Sequence, residues 1–371
     1  MSGLDRVRNV SSEPVIAPTT LSEDVIAQTV TTRDLVVKGS VTFPDDYTGQ
    51  SQNYSFRNAI INGDVRIDQR NSANVPVVGT GYAADRWFVE ETSDAVLSTQ
   101  QSIDVPTGQG FTNSIKTTST TANASTGTTE FSVLTYFIEG KDSARFAWGT
   151  AGAKTITASF WVKASVAGTY SFTLYNTSQS RINPSSYTIN APDTWEKKTI
   201  TILGETSGDW ETGTGRGIIV NFYTSLGSNY VGFPGWNNLS IFGVIGQANA
   251  WSSANNTFLV TGLQIEEGSV ATPFEHRPIG TELALCQRYF WRHAPTGITY
   301  LSFVYAGSQY RITLPNPVEM RVVPTSVTSS GWAGGTTPSS SVANKHAVNF
   351  FSSAGNYYID NGTIIDISAE L

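Results

Sequence analysis

Short segments in which hydrophobic and polar residues alternate recur through the middle of the chain. The clearest is Thr155–Lys163, whose apolar face consists of Ile156, Ala158, Phe160 and Val162. A period of two residues is that of a β-strand with one buried face. Similar segments, separated by polar turns, are Ala59–Ile61, Arg86–Glu91, Phe131–Ile138, Thr169–Asn176, Glu196–Leu203, Gly217–Tyr223 and Asn256–Glu266. Many short strands at near-regular spacing predict an all-β domain over residues 53–278, a β-sandwich of the jelly-roll type.

The first and last strands of a jelly roll lie close together, so we expect Ile60 and Ile265 to share one core. Phe160 and Trp161 are predicted to be largely buried as well.

The last region, residues 279–371, begins with the best helix candidate of the chain, Thr281–Phe290. Thr281 is suited to cap the helix and Glu282 to lie in its first turn. Short strand-like segments follow: Thr299–Val304, Gln309–Leu314, Val322–Val327, Ala347–Phe351, Asn356–Asp360 and Thr363–Ile367. A hairpin turn is predicted at Asp360-Asn361-Gly362. We therefore expect a short helix followed by a small C-terminal β-domain, which forms the distal tip.

The N-terminal region, residues 1–52, contains one extended segment with alternating apolar residues, Leu35, Val37, Val41 and Phe43. A single strand this short does not bury its apolar face alone. Identical chains are the simplest source of partners, so the segment predicts a homotrimer and an attachment or stalk role. The alternative is a leader peptide that packs against nothing.

The composition limits the classes of partner. Charged residues make up 14% of the chain and the net charge is −7, whereas an ordinary globular protein has about 25% charged residues. No Lys/Arg-rich cluster occurs, which argues against a nucleic-acid partner. The single cysteine, Cys286, excludes a disulfide within the chain and a multi-cysteine metal site. No signal peptide and no membrane span are apparent, so we expect synthesis in a host cytoplasm without membrane insertion.

Two longer motifs resemble the opening and the close of a module found in tail-fibre and minor tail proteins of tailed bacteriophages. The opening motif is Asn58-Ala-Ile-Ile-Asn-Gly-Asp64, followed by Arg66, Gln69-Arg70 and Asp85-Arg86-Trp87. The closing motif is TGLQIEEGSVATPFE at Thr261–Glu275, which continues through Arg277 into ELALCQRYF at Glu282–Phe290. The resemblance covers about residues 55–290, and the closing motif is the more specific of the two. It implies a jelly roll similar to carbohydrate-binding modules, located on the tail of a virion.

The same resemblance implies one metal site. Jelly-roll sugar modules often hold a structural Ca²⁺ through oxygen ligands between their first and last strands. Asp64 and Glu266 are the matching oxygen donors in this chain; the alternative is that both are ordinary solvated carboxylates. No other cofactor is expected.

Motifs for enzymatic chemistry are scarce. The adjacent carboxylates Glu90-Glu91 and Glu266-Glu267 point to opposite faces of a strand, so neither pair matches the facing carboxylates of a glycosidase. The histidines His276, His293 and His346 are scattered. We therefore expect no enzymatic activity, although carboxylates brought together from distant loops are not excluded by the sequence.

Aromatic residues in polar loops are the candidates for ligand binding, because indole and phenol rings stack on the apolar faces of sugars. The glycan-binding candidates are Trp236, Trp210, Tyr230, Trp251 and Trp332. Trp236 is the strongest, since the amides of Asn237 and Asn238 beside it both donate and accept hydrogen bonds. The alternative for each ring is packing against the end of the sandwich.

Together these features predict a structural component of a phage tail fibre. Its N-terminal segment would bind other tail proteins, and its β-domains would bind a receptor on the host surface, with a polysaccharide expected. One alternative is a fibre segment or adaptor with a purely structural role. Another is a polysaccharide depolymerase, although the long parallel β-helix that is usual for such enzymes is not apparent.

Overall fold

The computed structural model describes residues 56–71, 75–294, 304–306, 309–332, 340–352, 359 and 363–371. The predicted trimerisation residues Leu35, Val37, Val41 and Phe43 lie outside the described residues, and so does the predicted turn at Asp360-Asn361-Gly362. The described residues belong to one compact unit, and the boundary expected near residue 278 stays a prediction. No helix within the described ranges is long and apolar enough to cross a membrane.

Two sheets form a sandwich, which confirms the predicted all-β fold. Its strands are β1 (Val77–Val78), β2 (Gly81–Ala84), β3 (Trp87–Glu91), β4 (Val96–Ser102), β5 (Ser114–Thr121), β6 (Phe131–Glu139), β7 (Ile156–Ala164), β8 (Gly168–Tyr175), β9 (Ile182–Ile189), β10 (Glu196–Ile202), β11 (Arg216–Leu226), β12 (Val231–Gly232), β13 (Gly243–Val244) and β14 (Thr257–Glu267). The first sheet has the order β1-β4-β5-β14-β7-β10 and the second β2-β3-β6-β11-β8-β9. A short helix, α1 (Gly140–Ser143), follows β6, and β12 pairs with β13 in a small parallel ribbon.

The core lies between the sheets and follows the predicted alternation. Phe160 is buried there, and Ile60 and Ile265 belong to the same hydrophobic cluster, as predicted. The Ala59 amide donates a hydrogen bond of 2.9 Å to the Ile265 carbonyl, so the start and the end of the sandwich are joined directly.

Two local predictions within the sandwich are wrong. Ala59–Ile61 is buried but does not form a strand, because the amides of Ile60 and Ile61 donate to side chains, those of Asn58 and Tyr136, at 2.9 and 2.8 Å. Trp161 is only half-buried. It lies on the outer face of β7, opposite the core residues Phe160 and Val162.

The predicted helix exists but has different ends. Helix α2 spans Ile279–Gln287 and is preceded by Pro278 at the N-cap position, so Thr281 is not its cap. It ends earlier than predicted because Phe290 begins a strand that pairs with Ser368.

The C-terminal strands are β15 (Phe290–His293), β16 (Val304–Ala306), β17 (Gln309–Pro315), β18 (Ser326–Ser330), β19 (Ser340–Ala343), β20 (Ala347–Ser352) and β21 (Ile364–Ser368). They form a three-stranded sheet, β15-β21-β18, and a four-stranded sheet, β16-β17-β20-β19. A separate hydrophobic cluster that includes Ile312, Phe350 and Ile367 lies among these strands.

Candidate functional site

The outer face of the second sheet carries an unusual set of side chains. On its central strands, residues such as Tyr136, Phe172 and Phe222 belong to the core. Because side chains alternate along a strand, the residues between them point away from the core. The register places these outward residues in rows across β6, β11 and β8: Phe137–Ile219–Tyr175, Thr135–Asn221–Thr173 and Val133–Tyr223–Ser171. The middle row is polar, and each flanking row contains a tyrosine.

Five aromatic side chains meet on this face, and we call them the aromatic layer: Phe131, Tyr175, Tyr223, Tyr230 and Phe242. The ring of Phe242 lies 5.8 Å from that of Tyr175, 6.2 Å from that of Tyr223 and 5.7 Å from that of Tyr230, measured between centroids. Phe131 lies 6.4 Å from Tyr223 and 6.3 Å from Tyr230. Tyr223 is buried, whereas the other four rings are half-buried. The layer is thus a hydrophobic cluster on the outside of the sheet, and four of its five side chains remain partly exposed to solvent.

The segment from residue 227 to 244 brings Tyr230 and Phe242 onto the sheet. The Gly227 amide donates to the Glu130 carbonyl at 2.8 Å, and the Val244 amide donates to the Ser171 hydroxyl at 2.9 Å. The Thr173 hydroxyl donates to the Phe242 carbonyl at 2.5 Å. A Cβ at Gly243 would lie 2.3 Å from the end of the Leu226 side chain and 2.8 Å from the Ser171 hydroxyl, so a larger residue there would have to displace these side chains. The segment is thus held to the sheet at several points.

Polar groups lie among the rings. The Asn221 amide nitrogen donates to the Tyr223 hydroxyl at 2.9 Å and to the Tyr175 hydroxyl at 3.4 Å. Its oxygen is buried without a hydrogen-bond partner among the described residues. Glu90 is exposed on the neighbouring strand β3, opposite Val133.

Electrostatics keep both tyrosines in their neutral form. Burial raises the pKa of Tyr175 to about 12, and the carboxylate of Glu90 contributes to this shift. Burial also raises the pKa of Tyr223 well above its usual value. Neutral phenols both donate and accept hydrogen bonds. The face therefore combines apolar rings with hydroxyl, amide and carboxylate groups, which is the combination that a sugar requires.

The strongest predicted residue, Trp236, lies elsewhere. Its ring is 5.3 Å from Trp148 and 5.8 Å from Trp210, and those two rings are 4.9 Å apart. We call these three residues the tryptophan cluster. The indole N–H of Trp236 donates to the Leu203 carbonyl at 2.9 Å. The indole N–H of Trp148 donates to the Lys154 carbonyl at 2.9 Å, and that of Trp210 to the Ser207 carbonyl at 3.0 Å. Trp210 therefore packs against Trp236, but Trp210 and Trp148 are buried and belong to the core of the sandwich, so the prediction that Trp236 and Trp210 bind a glycan stays a prediction. Trp148 was not among the predicted residues.

The remaining aromatic predictions have mixed outcomes. Tyr230 was expected beside Trp236, but its ring contacts are with Phe131 and Phe242. Trp251 is fully enclosed in the core, and its N–H donates to the Thr224 hydroxyl at 3.0 Å. The prediction that Trp251 contacts a ligand is therefore wrong, because neither face of its ring is accessible. Trp332 is half-buried and packs against Phe350 at 5.0 Å in the C-terminal cluster.

The two carboxylates that the resemblance assigned to calcium both have partners within the protein. Asp64 pairs with Arg66 at 2.5 Å. Glu266 accepts hydrogen bonds from Thr272 at 2.8 and 2.7 Å and from Gln264 at 2.8 Å. Within the described part of the chain, no group of three or more His, Cys, Asp or Glu residues is arranged to hold a metal ion. Protein donors therefore satisfy Glu266, whereas Asp64 has an ion pair with Arg66 and one buried oxygen without a hydrogen-bond partner among the described residues, and the calcium site stays a prediction.

The residues of the opening and closing motifs form a largely buried network that closes the sandwich. The Trp87 indole donates to the Asn62 carbonyl at 2.9 Å, and the Gln69 amide donates to the Asp85 carboxyl at 2.6 Å. Arg277 reaches across to the Ile60 carbonyl at 3.0 Å. The two motifs are far apart in sequence, and these contacts explain why they occur together: both build the same junction.

Comparison with known proteins gives structural similarities only. No protein-family model and no curated protein matches the chain. Among solved structures, this chain is similar to the enzymatically active domain of tailspike protein 4 of bacteriophage CBA120. The identity is 12% and the TM-score is 0.32, and the match covers 57% of this chain and 22% of the tailspike chain. A CBM4 structure has 14% identity, a TM-score of 0.29, and coverage of 56% of this chain and 98% of its own.

A family 11 carbohydrate-binding module of a cellulosomal cellulase of Clostridium thermocellum has 15% identity and a TM-score of 0.27, and the match covers 54% of this chain and 99% of the module. Similarities this low carry no argument about ligand or activity. The function is therefore inferred from the site itself.

Proposed function

We propose that this protein is a non-enzymatic glycan-binding component of a phage tail, and that the aromatic layer binds the glycan. The observation that carries the proposal is the meeting of four half-exposed rings with Asn221 and Glu90 on one sheet face. Stacking needs ring faces that solvent reaches, and hydroxyl recognition needs donors and acceptors nearby. The aromatic layer supplies both, whereas Trp251 supplies neither.

The charge of the chain agrees with a neutral ligand. Only 14% of the residues are charged and the net charge is −7. An anionic ligand would need a cluster of Lys or Arg, and the charges described near this face are the carboxylate of Glu90 on β3 and one guanidinium, that of Arg216, 4.1 Å from the centroid of the Phe137 ring. A neutral surface polysaccharide is therefore the ligand class that we favour.

Binding of purified host polysaccharides and a glycan array tests the proposal directly. Tyr175→Ala and Tyr230→Ala should each weaken binding by about tenfold or more, which corresponds to about 1.4 kcal/mol. Trp161→Ala is the matched control, because Trp161 is also half-buried but lies on the outer face of the other sheet. Equal losses in all three variants, or unchanged binding in the tyrosine variants, would contradict the proposal. Release of reducing sugar from the polysaccharide would contradict its non-enzymatic part.

Location on a phage tail is supported by the resemblance of the motifs at Asn58–Asp64 and Thr261–Glu275 to those of tail-fibre proteins. Immunogold labelling of phage particles with an antibody against this protein should mark the tail. Labelling confined to unassembled protein in the host lysate would contradict this part of the proposal.

A further inference from the structure

A second concave site lies beside the tryptophan cluster. It is a pocket of about 250 Å³ whose lining includes Trp148, Trp210, Glu211 and Thr212. Ser143, Trp148, Trp210 and Ile218 are buried and form its floor, whereas Ala144, Thr150, Glu211 and Thr212 are exposed at its rim. An apolar aromatic floor with a polar rim is typical of a small-molecule site.

Backbone contacts hold the two walls of this pocket together. The Lys141 amide donates to the Gly213 carbonyl at 2.8 Å, and the Gly149 amide donates to the Glu205 carbonyl at 2.7 Å. Gly149 has a positive φ of 82°, and a side chain there would lie 2.9 Å from the Trp210 ring. The pocket is thus built by the close approach of two loops.

One wall contains a strained residue. Ala147 adopts φ 53°, in the left-handed region, which a non-glycine residue occupies at a cost of order 1–3 kcal/mol. This conformation is where the chain turns from Phe146 to Trp148. It brings the indole of Trp148 to the pocket floor beside Trp210, with the two ring centroids 4.9 Å apart.

The lining determines the chemical class of a ligand. The indole N–H groups of Trp148 and Trp210 already donate to backbone carbonyls, so these rings offer apolar surface rather than donors. Glu211 accepts from the Gly213 amide through one oxygen, and it is the only charged residue among those that line the pocket. A carboxylate without a neighbouring cation in the lining disfavours anions and favours hydroxyl donors.

We propose that this pocket binds a single neutral sugar ring, as a second glycan site separate from the aromatic layer. The ring would pack against the parts of Trp148 and Trp210 that line the pocket, whose ring planes are inclined at 74° to each other, and donate hydroxyl hydrogen bonds to Glu211 and Thr212. The volume is below the roughly 300–1,000 Å³ of sites for drug-sized ligands, so one ring fits better than a chain. This inference rests on the proposed function for its ligand class but not for its site.

Intrinsic tryptophan fluorescence and saturation-transfer NMR with free glucose, galactose, N-acetylglucosamine and glucuronate test the proposal on the full chain. At least one neutral sugar should bind, and glucuronate should bind more weakly because of Glu211. Ala144→Phe fills the rim of the pocket and should abolish binding. Ala144→Ser leaves the pocket open and is the matched control; since Ala144 is exposed, both variants should fold.

Glu211→Gln should weaken neutral-sugar binding and reduce the discrimination against glucuronate. Binding that persists in Ala144→Phe, or the absence of binding by all neutral sugars, would overturn the proposal. Polysaccharide binding by the aromatic layer should be unchanged in Ala144→Phe, and pocket binding should be unchanged in Tyr230→Ala. The two proposals therefore fail in different variants.

Discussion

Trp251 and Trp236 both follow polar loop residues in the sequence, yet their surroundings differ completely. Trp251 lies in the core with its N–H bonded to Thr224. Trp236 is half-buried and packs edge-on against Trp148 and Trp210. The difference arises from position in the fold. The Ala250 amide donates a hydrogen bond of 2.9 Å to the Thr224 carbonyl, and this contact holds the adjacent Trp251 between the two sheets.

The two tryptophans should therefore differ in their effect on stability. Trp251→Ala should lower the free energy of unfolding by about 3–5 kcal/mol, the range for a fully buried large side chain. Trp236→Ala should cost clearly less, since part of its ring is exposed and only part of its apolar contact is lost. Guanidinium unfolding of both variants checks this. An equal or larger loss for Trp236→Ala would contradict this account, because it would show that Trp236 contributes to the core as much as Trp251 does.

Asp85 predicts a particular dependence of stability on pH. Burial raises its pKa to about 7 from 3.8, with Arg70 opposing the shift and Glu370 and Asp68 adding to it. Between these values the folded protein holds a proton that the unfolded chain has lost. The contribution of Asp85 to stability is therefore complete below about pH 4 and is lost as the pH rises through about 7.

Comparison with Asp85→Asn isolates this effect, because the other titratable groups are the same in both proteins. The free energy of unfolding of the unmodified protein should fall relative to that of the variant as the pH rises from about 4 to about 7. Parallel pH profiles would mean that Asp85 titrates normally in the folded state.

At the scale of elements, the C-terminal strands are joined to the sandwich through buried ion pairs. Glu370, which follows β21, contacts Arg86 at 2.5 Å and Arg70 at 2.6 Å. Arg86 is only 1% exposed, and its guanidinium also lies 3.6 Å from the centroid of the Tyr289 ring. Arg288, just after α2, contacts Glu139 of the sandwich. Glu370 is thus the counter-ion of two arginines of the opening motif, Arg70 and Arg86.

Removing the charge of Glu370 should be costly. Glu370→Gln leaves the buried guanidinium of Arg86 without its counter-ion, and breaking a buried pair in this way costs about 3–5 kcal/mol. Glu319→Gln is the matched control. Its partner Lys345 lies 3.7 Å away and both side chains are exposed, so the expected loss is at most about 1 kcal/mol. Similar unfolding free energies for the two variants would contradict this account.

The sequence predicted the strands with apolar alternation and missed those whose inward residues are polar. Strand β5, SIKTTSTT, has little apolar pattern. Thr117 is nevertheless buried, because its hydroxyl forms a 3.0 Å hydrogen bond with the hydroxyl of Thr99 on β4. Strand β9 contains Pro184 and was also missed. Polar side chains that satisfy one another across a sheet leave no hydrophobic period to detect.

The candidate site was only partly predictable for a different reason. Tyr230 was recognised as a loop aromatic, but Phe131, Tyr175 and Tyr223 were assigned to strands without regard to face. They meet only because β6, β11 and β8 are neighbours in the second sheet, and that order is not encoded in local pattern. Trp148 was missed because its contacts to Trp210 and Trp236 span distant loops.

At the scale of the whole molecule, a homotrimer remains the expected assembly, through Leu35, Val37, Val41 and Phe43. Their mutual burial would contribute several kcal/mol per chain, at roughly 25 cal/mol per Å² of apolar area. Light scattering of the full chain at micromolar concentration should return the mass of three chains. Val37→Asp combined with Val41→Asp should shift the mass towards that of one chain. A monomeric unmodified protein would contradict the prediction.

The central claim, that the aromatic layer binds glycan, is tested most directly by NMR of protein labelled with ¹³C in its tyrosine rings. Addition of a host surface oligosaccharide should shift the resonances of Tyr175, Tyr223 and Tyr230, which share one sheet face. The resonance of Tyr289, buried near Arg86, should stay in place and serves as the internal control. Saturable shifts confined to the three layer tyrosines are the result that this account predicts. Binding of the oligosaccharide with no shift in those three resonances would contradict it.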